Sequence, residues 1–68
     1  MKIKAKSSFK EFRAKRGYSI HGLAEAAGVS YRTVFRLENK HPVFPKTTRK
    51  ICNALNCEFD DVFIIDDV

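Results

Sequence analysis

The sequence has 68 residues, enough for one small domain but not for a separate catalytic or ligand-binding module. Hydrophobic residues make up 44% of the chain and charged residues 31%, a balance that excludes a disordered tail and fits a soluble globular fold. No apolar run approaches the roughly 20 residues of a membrane span, and the charged start has no signal-peptide core. We therefore expect a cytoplasmic protein that does not act at membranes.

Charge is distributed unevenly along the chain. Residues 1–50 contain all 13 lysines and arginines against three acids, a net charge of +10, whereas residues 51–68 contain five acids and no base. A basic body with an acidic end favours a polyanion as the partner of one face and a different partner for the other. A solvated basic surface would give the same count, so charge alone does not identify the partner.

The chain begins with a segment, residues 1–6 (MKIKAK), in which basic and apolar residues alternate. This period of two predicts a strand, although a disordered basic arm has the same composition. Ser8 and Glu11 have the spacing of a capping box, which predicts a first helix over residues 9–16 that ends at Gly17. The two phenylalanines of this helix are expected in the core.

Residues 19–39 contain the signals of two short helices joined by a tight turn. Ser19 is a favoured N-cap for a second helix, and Gly28 readily takes the left-handed conformation that ends it. Ser30 is the equivalent N-cap for a third helix over residues 31–38. The segment is therefore predicted to form a helix-turn-helix unit.

Small, glycine and apolar residues recur in this unit at five positions: Ala24, Gly28, Val29, Val34 and Leu37. Together with the sequence RLEN at its end, this spacing resembles the helix-turn-helix of the phage repressor and Cro family, the XRE type. The resemblance extends from about residue 9 to residue 63. It implies an all-α, lambda-repressor-like fold of five short helices that binds duplex DNA. The alternative is a helical mini-domain whose apolar spacing reflects only its core.

The third helix is the expected reading element. At 100° per residue, with Val34 facing the core, Arg32 and Arg36 fall on the opposite side, one turn apart. A contact between arginine and guanine is the commonest specific base contact, so we predict that Arg32 and Arg36 both contact bases. The alternative is that the two arginines form a solvated basic face. Tyr31 and Thr33 lie on the flanks, where the resemblance implies further base or phosphate contacts. Phe35 is not core by this geometry, and contact with a thymine methyl, the second helix or another protein stays open.

Four residues are predicted to contact DNA phosphates: Ser19, Asn39, Lys40 and Lys46. Backbone N–H groups at the start of the second helix can face a phosphate, although Ile20 stands where the family commonly has a phosphate-binding glutamine. Asn39 and Lys40 resemble phosphate-contacting positions, but an ordinary C-cap explains Asn39 equally well. Lys46 opens the fourth helix and can reach the DNA backbone; a free surface lysine is the alternative.

A structural ion pair is predicted between Arg13 and Glu38. In the resembled family, an arginine at this position of the first helix pairs with a glutamate near the end of the third. Arginine can hold a carboxylate through two hydrogen bonds, so the pair would tie the helix-turn-helix to the first helix. Two exposed charges of little energetic consequence are the alternative.

The C-terminal part is predicted to close the fold. A fourth helix should run from Pro45 to Leu55, and Asn56 can take the left-handed position after it. A short fifth helix over residues 59–63 should have its acids in the first turn and its apolar residues in the core. Residues 64–65 are both isoleucine and should find a partner, either residues 1–6 in a two-stranded ribbon or another subunit.

Catalysis and metal binding are not expected. Cys52 and Cys57 do not have zinc-site spacing, His21 and His41 complete no motif, and a buried free thiol is the default for Cys52. No nucleophile–base arrangement exists, so we predict no enzyme, no cofactor and no small-molecule ligand.

We therefore predict that residues 1–68 form a single helix-turn-helix DNA-binding domain. Its function should be sequence-specific transcriptional regulation, most simply repression by a homodimer that occupies an operator with residues 31–38 in the major groove. In the resembled family, dimers usually form through the region of the fourth and fifth helices. The alternative is a protein-interaction module, such as the antitoxin of a toxin–antitoxin pair, whose acidic tail binds a basic partner.

Overall fold

The computed structural model describes residues 2–66 and contains five helices and two strands in this range. Met1, Asp67 and Val68, which include part of the predicted acidic tail, lie outside the described residues. The elements follow one another as β1 (Lys2–Ala5), α1 (Phe9–Lys15), α2 (Ile20–Ala27), α3 (Tyr31–Glu38), α4 (Pro45–Leu55), α5 (Phe59–Val62) and β2 (Phe63–Asp66). The predicted fold of five short helices with a minor terminal ribbon is confirmed.

The core is built from apolar side chains of every helix and both strands. Its largest fully buried members are Phe9, Leu23, Val34, Leu37, Ile51, Leu55, Val62 and Phe63. Each buried side chain of this size contributes about 1.5–3 kcal/mol relative to an exposed one. The inner faces of α2 and α3 are therefore fixed by packing against α4 and the terminal elements.

The boundaries of the helix-turn-helix unit lie where the sequence placed them. The Ser19 hydroxyl accepts a hydrogen bond from the Gly22 backbone N–H at 2.9 Å, and the Ser30 hydroxyl accepts one from the Thr33 N–H at 3.2 Å. Gly28 ends α2 in the left-handed conformation, at φ 73° and ψ 34°. Three local signals thus set the lengths of both helices.

Gly22, a helix-weakening residue by its intrinsic propensity, has a packing explanation. A Cβ atom added there would lie 3.2 Å from the Ser19 hydroxyl oxygen and 3.6 Å from the ring of Tyr18. The glycine therefore leaves room for the N-cap serine to reach the backbone of α2.

The capping box predicted at the start of α1 is wrong. Ser8 has helical backbone angles (φ −77°, ψ −6°) and makes no side-chain cap hydrogen bond. Glu11 instead pairs with Lys15 one turn later, at 2.9 Å. The helix ends at Lys15, one residue earlier than predicted, and Phe12 is half-buried with the Arg16 guanidinium 4.6 Å from its ring centre.

The two terminal segments form an antiparallel ribbon, which confirms the first of the two partners considered for the C-terminal isoleucines. Lys2 pairs with Asp66, Ile3 with Ile65, Lys4 with Ile64 and Ala5 with Phe63. The ribbon is charge-matched, because the Lys4 ammonium lies 3.5 Å from the Asp66 carboxylate. Ile64 and Ile65 remain 45% and 51% exposed.

β1 is also tied to the body of the fold. The Lys6 N–H donates to the Val62 carbonyl at 2.7 Å, and the Val43 N–H donates to the Ile3 carbonyl at 2.9 Å. The strand is thus bonded on both edges.

The end of α4 is a Schellman turn. Asn56 is left-handed (φ 54°), its N–H donates to the Asn53 carbonyl, and the Cys57 N–H donates to the Cys52 carbonyl at 3.1 Å. The Arg16 guanidinium Nε donates to a further carbonyl of this end at 2.9 Å, that of Leu55.

The predicted end of the fifth helix needs one correction. Phe63 is not helical: it has extended angles (φ −127°, ψ 157°) and begins β2, because it pairs with Ala5. The start of α5 has a capping box that the sequence reading missed. In it the Glu58 N–H donates to the Asp61 carboxylate at 2.9 Å.

Candidate nucleic-acid interface

α3 is held by its inner face. Val34 is 0% and Leu37 1% exposed, and Ala24 of α2, at 5%, allows the two helices to approach closely. Because these residues are buried, the opposite side of α3 must face outward. Arg32 and Arg36 are both exposed there, on the side that the sequence predicted.

The end of α3 is joined to α1 by the side chains of Arg13 and Glu38. The Arg13 Nε donates to Glu38 Oε2, its Nη2 donates to Oε1 at 3.3 Å, and its Nη1 donates to the Tyr18 carbonyl at 2.7 Å. The two side chains are only 10% and 8% exposed. Since Arg13 neutralises Glu38, α3 presents two arginines and no uncompensated carboxylate.

A groove of about 390 Å³ lies between α3 and the start of α4. Arg32, Thr33 and Arg36 line it from α3, while Phe44 and Thr47 line it from the other side. Phe44 is 80% exposed, the most exposed large apolar side chain of the described residues. Sequence reasoning missed Phe44 and Thr47 because a loop residue and a helix-start threonine have no periodicity that would mark them.

The other flank of α3 has a row of aromatic rings. The Tyr31 ring lies 4.3 Å from the His21 imidazole of α2 and 6.1 Å from the Phe35 ring of α3, centre to centre. Tyr31 and Phe35 are 42% and 48% exposed. Thr33 is half-buried, and its hydroxyl is 2.9 Å from that of Ser30, so it takes part in the helix cap.

Two of the predicted phosphate-contacting residues act as helix caps. Ser19 accepts from the Gly22 N–H, which leaves its own hydroxyl hydrogen for an outside acceptor. Asn39 is the C-cap of α3, and its side-chain amide donates to the Phe35 carbonyl at 2.7 Å. Both side chains are exposed.

The two predicted lysines lie in separate places. Lys40 has a left-handed backbone (φ 66°), and its ammonium is 3.5 Å from the Ala5 carbonyl of β1. Lys46 lines a different groove from the α3 arginines, one formed along α4 together with Arg49 and Glu58. The four residues predicted to contact phosphates therefore do not form one cluster.

Comparison with known proteins agrees with this geometry. A family model described as "Helix-turn-helix" matches residues 9–62, from the first residue of α1 to the last of α5. The chain belongs to the XRE-type helix-turn-helix family. The matched range leaves out both strands of the terminal ribbon. No solved structure matches the chain.

A relative of similar length supports the same family. The chain is 38% identical over 64 residues to the "Uncharacterized HTH-type transcriptional regulator YgzD" of Bacillus subtilis (strain 168). The alignment covers 91% of this chain and 96% of the relative. Together, the family and the relative point to a DNA-binding regulator that is not an enzyme.

Burial favours the neutral form of both thiols of this helix-turn-helix protein. Cys52 and Cys57 are both free thiols, as predicted for Cys52, and both are half-buried where a buried Cys52 was expected. Burial raises the pKa of Cys52 to about 12, with the adjacent Cys57 thiol adding to the effect, and burial also raises the pKa of Cys57. Because the thiolate is the nucleophile and metal ligand, these thiols are poor at both tasks near neutral pH.

Within residues 2–66, no group of three or more histidine, cysteine or acidic side chains is arranged to hold a metal ion. The helices in the same range are too short and too polar to cross a bilayer.

Proposed function

We propose that this protein represses transcription by binding an operator as a homodimer, with α3 of each subunit in the major groove. The proposal rests on one observation: Arg32 and Arg36 are exposed one turn apart on a helix whose opposite face is completely buried. A guanidinium can donate two hydrogen bonds to the O6 and N7 atoms of guanine, the commonest specific contact in this groove. The side chains at Tyr31 and Thr33 then contact flanking bases.

Electrostatics supports the same orientation. Residues 1–50 have a net charge of +10, and the single carboxylate of α3 is compensated by Arg13. Ser19, Asn39, Lys40 and Lys46 are exposed and supply phosphate contacts, which fix register without reading sequence. Binding should weaken steeply with salt, because each phosphate contact releases counterions.

The small size of the unit favours binding as a dimer. One module of this kind buries only about 600–1,000 Å² on DNA, which limits affinity and specificity. Two copies related by a two-fold axis would read half-sites about one helical turn, or 10–10.5 base pairs, apart. Selection from random duplexes is expected to return an inverted repeat with this spacing; a single asymmetric site would argue against the dimer.

The decisive test is a double substitution of the two arginines. Arg32→Ala/Arg36→Ala should weaken specific binding to the selected duplex by about 30-fold or more, since each good bidentate contact contributes roughly 1–3 kcal/mol of discrimination. Lys10→Ala/Lys15→Ala on α1 removes the same charge from exposed positions and is the matched control. The Lys10→Ala/Lys15→Ala variant should change only the weak, salt-dependent binding that does not depend on DNA sequence.

The outcomes separate two functions. Lost binding with an unchanged thermal melt is expected for a DNA reader. Unchanged binding by the double variant would remove α3 from the interface and leave the protein-interaction module as the better account. In a reporter strain, the wild type should lower transcription from a promoter that contains the selected site.

A further inference from the structure

The aromatic row beside α3 is not explained by the core or by the arginine contacts. It consists of His21, Tyr31 and Phe35, hereafter the ring row. The Tyr31 and Phe35 rings are inclined by only 16° to one another, and the His21 and Tyr31 rings by 30°. Tyr31 and Phe35 are 42% and 48% exposed, so each ring packs partly against the other and is not buried in the core.

Contact between the rings favours the positions that they occupy. Aromatic pairs at these separations attract one another beyond the effect of the area they bury. Tyr31 lies between a ring of α2 and a ring one turn further along α3. These contacts favour the placement of Phe35 seen in the structure, which lowers the entropic cost of using it in a contact.

The ring row adjoins the arginine side of α3. At 100° per residue, Phe35 is about 60° from Arg32 and about 100° from Arg36 around the helix axis. A helix in the major groove would therefore bring ring carbons and guanidiniums to neighbouring base edges. Guanine offers two acceptors to arginine, and thymine offers its 5-methyl group to an apolar side chain such as phenylalanine.

We propose that Phe35, braced by Tyr31 and His21, contacts the 5-methyl group of a thymine next to the guanine that α3 reads, and so makes the protein specific for thymine at that position. This inference rests on the proposed DNA-binding function and names one base of its site. Packing of Phe35 into the interior does not account for a ring that is half exposed. Contact with another protein is the competing use of the same surface.

The experiment removes the methyl group and nothing else. A duplex selected by the wild-type protein is resynthesised with each thymine replaced in turn by deoxyuridine, and dissociation constants are measured by fluorescence anisotropy at fixed salt. Burial of one methyl group corresponds to about a fourfold effect on affinity. We expect about fourfold weaker binding for deoxyuridine at one position of each half-site and no change elsewhere.

Four variants assign the effect to a residue. Phe35→Ala should bind the thymine and deoxyuridine duplexes equally, whereas Phe35→Leu, which keeps an apolar side chain, should retain part of the preference. Ile65→Ala removes a similarly exposed apolar side chain from β2, outside the candidate interface, and should behave as wild type. His21→Ala tests the bracing and should give a thymine preference below that of the wild type.

The possible results distinguish failure of the proposed function from failure of the thymine contact. No selected sequence for the wild type would overturn the proposed function and this inference with it. A selected sequence whose affinity is indifferent to every deoxyuridine, or a Phe35→Ala variant that keeps the full preference, would overturn this inference and leave the proposed function standing. A wild-type preference in His21→Ala would overturn the bracing role.

Discussion

The helix-turn-helix unit and the terminal ribbon are stabilised in different ways. In the unit, residues within it mark its boundaries: Ser19 and Ser30 cap the helices and Gly28 makes the turn. In the ribbon, residues 2–5 pair with residues 63–66, at the opposite end of the chain. The family match covers the unit and excludes the ribbon. The comparison indicates that short-range signals shape the reading surface, while long-range pairing closes the fold around it.

The largest effect is expected where the helix-turn-helix unit is joined to the rest of the fold. Arg13→Ala should lower the free energy of unfolding by about 3–5 kcal/mol, because it leaves the Glu38 carboxylate buried without its partner. Urea denaturation measures the loss, and Arg13→Lys provides a variant that keeps the charge but not the paired hydrogen bonds.

The exposed Glu11–Lys15 pair is a matched control for this prediction. Its side chains are about 70% exposed, so Lys15→Ala should cost no more than about 0.5 kcal/mol. Equal losses for Arg13→Ala and Lys15→Ala would show that burial of the Arg13–Glu38 pair has no energetic consequence.

A second prediction compares the two partners of one ribbon pair. Ile3 is 8% exposed and Ile65 is 51% exposed. Ile3→Ala should cost about 2 kcal/mol or more, since it opens a cavity in the core. Ile65→Ala should cost less than about 1 kcal/mol, because half of its surface is already in water. Thermal melts measure both, and fast backbone amide exchange at both positions of the wild type would exclude the ribbon.

A third prediction compares two serines that look alike in the sequence. Ser30→Ala removes a hydrogen-bonded N-cap and should cost about 1 kcal/mol, whereas Ser8→Ala removes no cap hydrogen bond and should be nearly neutral. The same urea series measures both changes. If Ser8→Ala lowered the free energy of unfolding as much as Ser30→Ala does, Ser8 would have to cap α1 after all, against the structure.

The smallest effect is expected at Gly22. Gly22→Ala gains about 0.5–1 kcal/mol of helix propensity, but the added methyl group would crowd the Ser19 hydroxyl at 3.2 Å. We expect the two effects nearly to cancel in the melting temperature. In Ser19→Ala/Gly22→Ala, where the cap is already absent, the alanine should be stabilising relative to Ser19→Ala alone.

The sequence predicted well wherever a boundary depends on residues close to it. The caps of α2 and α3, the left-handed Asn56 after α4 and the orientation of α3 all follow from side chains within one or two turns. The outward direction of Arg32 and Arg36 followed from the same periodicity, since burying Val34 and Leu37 leaves them no inward alternative.

The errors occur where distant segments meet. Ser8 has helical backbone angles and makes no cap bond, and the chain just before it is held by the Lys6–Val62 backbone hydrogen bond to the distant end of α5. Phe63 leaves α5 early, since it must pair with Ala5. At the candidate site, the ring row required His21 of one helix to meet Tyr31 of the next, and single-helix periodicity contains no such information.

The pairing of Lys2 with Asp66 has a practical consequence for engineering. Adjacent strands lie about 5 Å apart, so a short linker suffices to connect Lys2 with Asp66. Circularly permuted versions and tandem fusions of two copies are therefore geometrically accessible. In a tandem fusion, each copy would keep its own two-stranded ribbon and could receive its own set of substitutions.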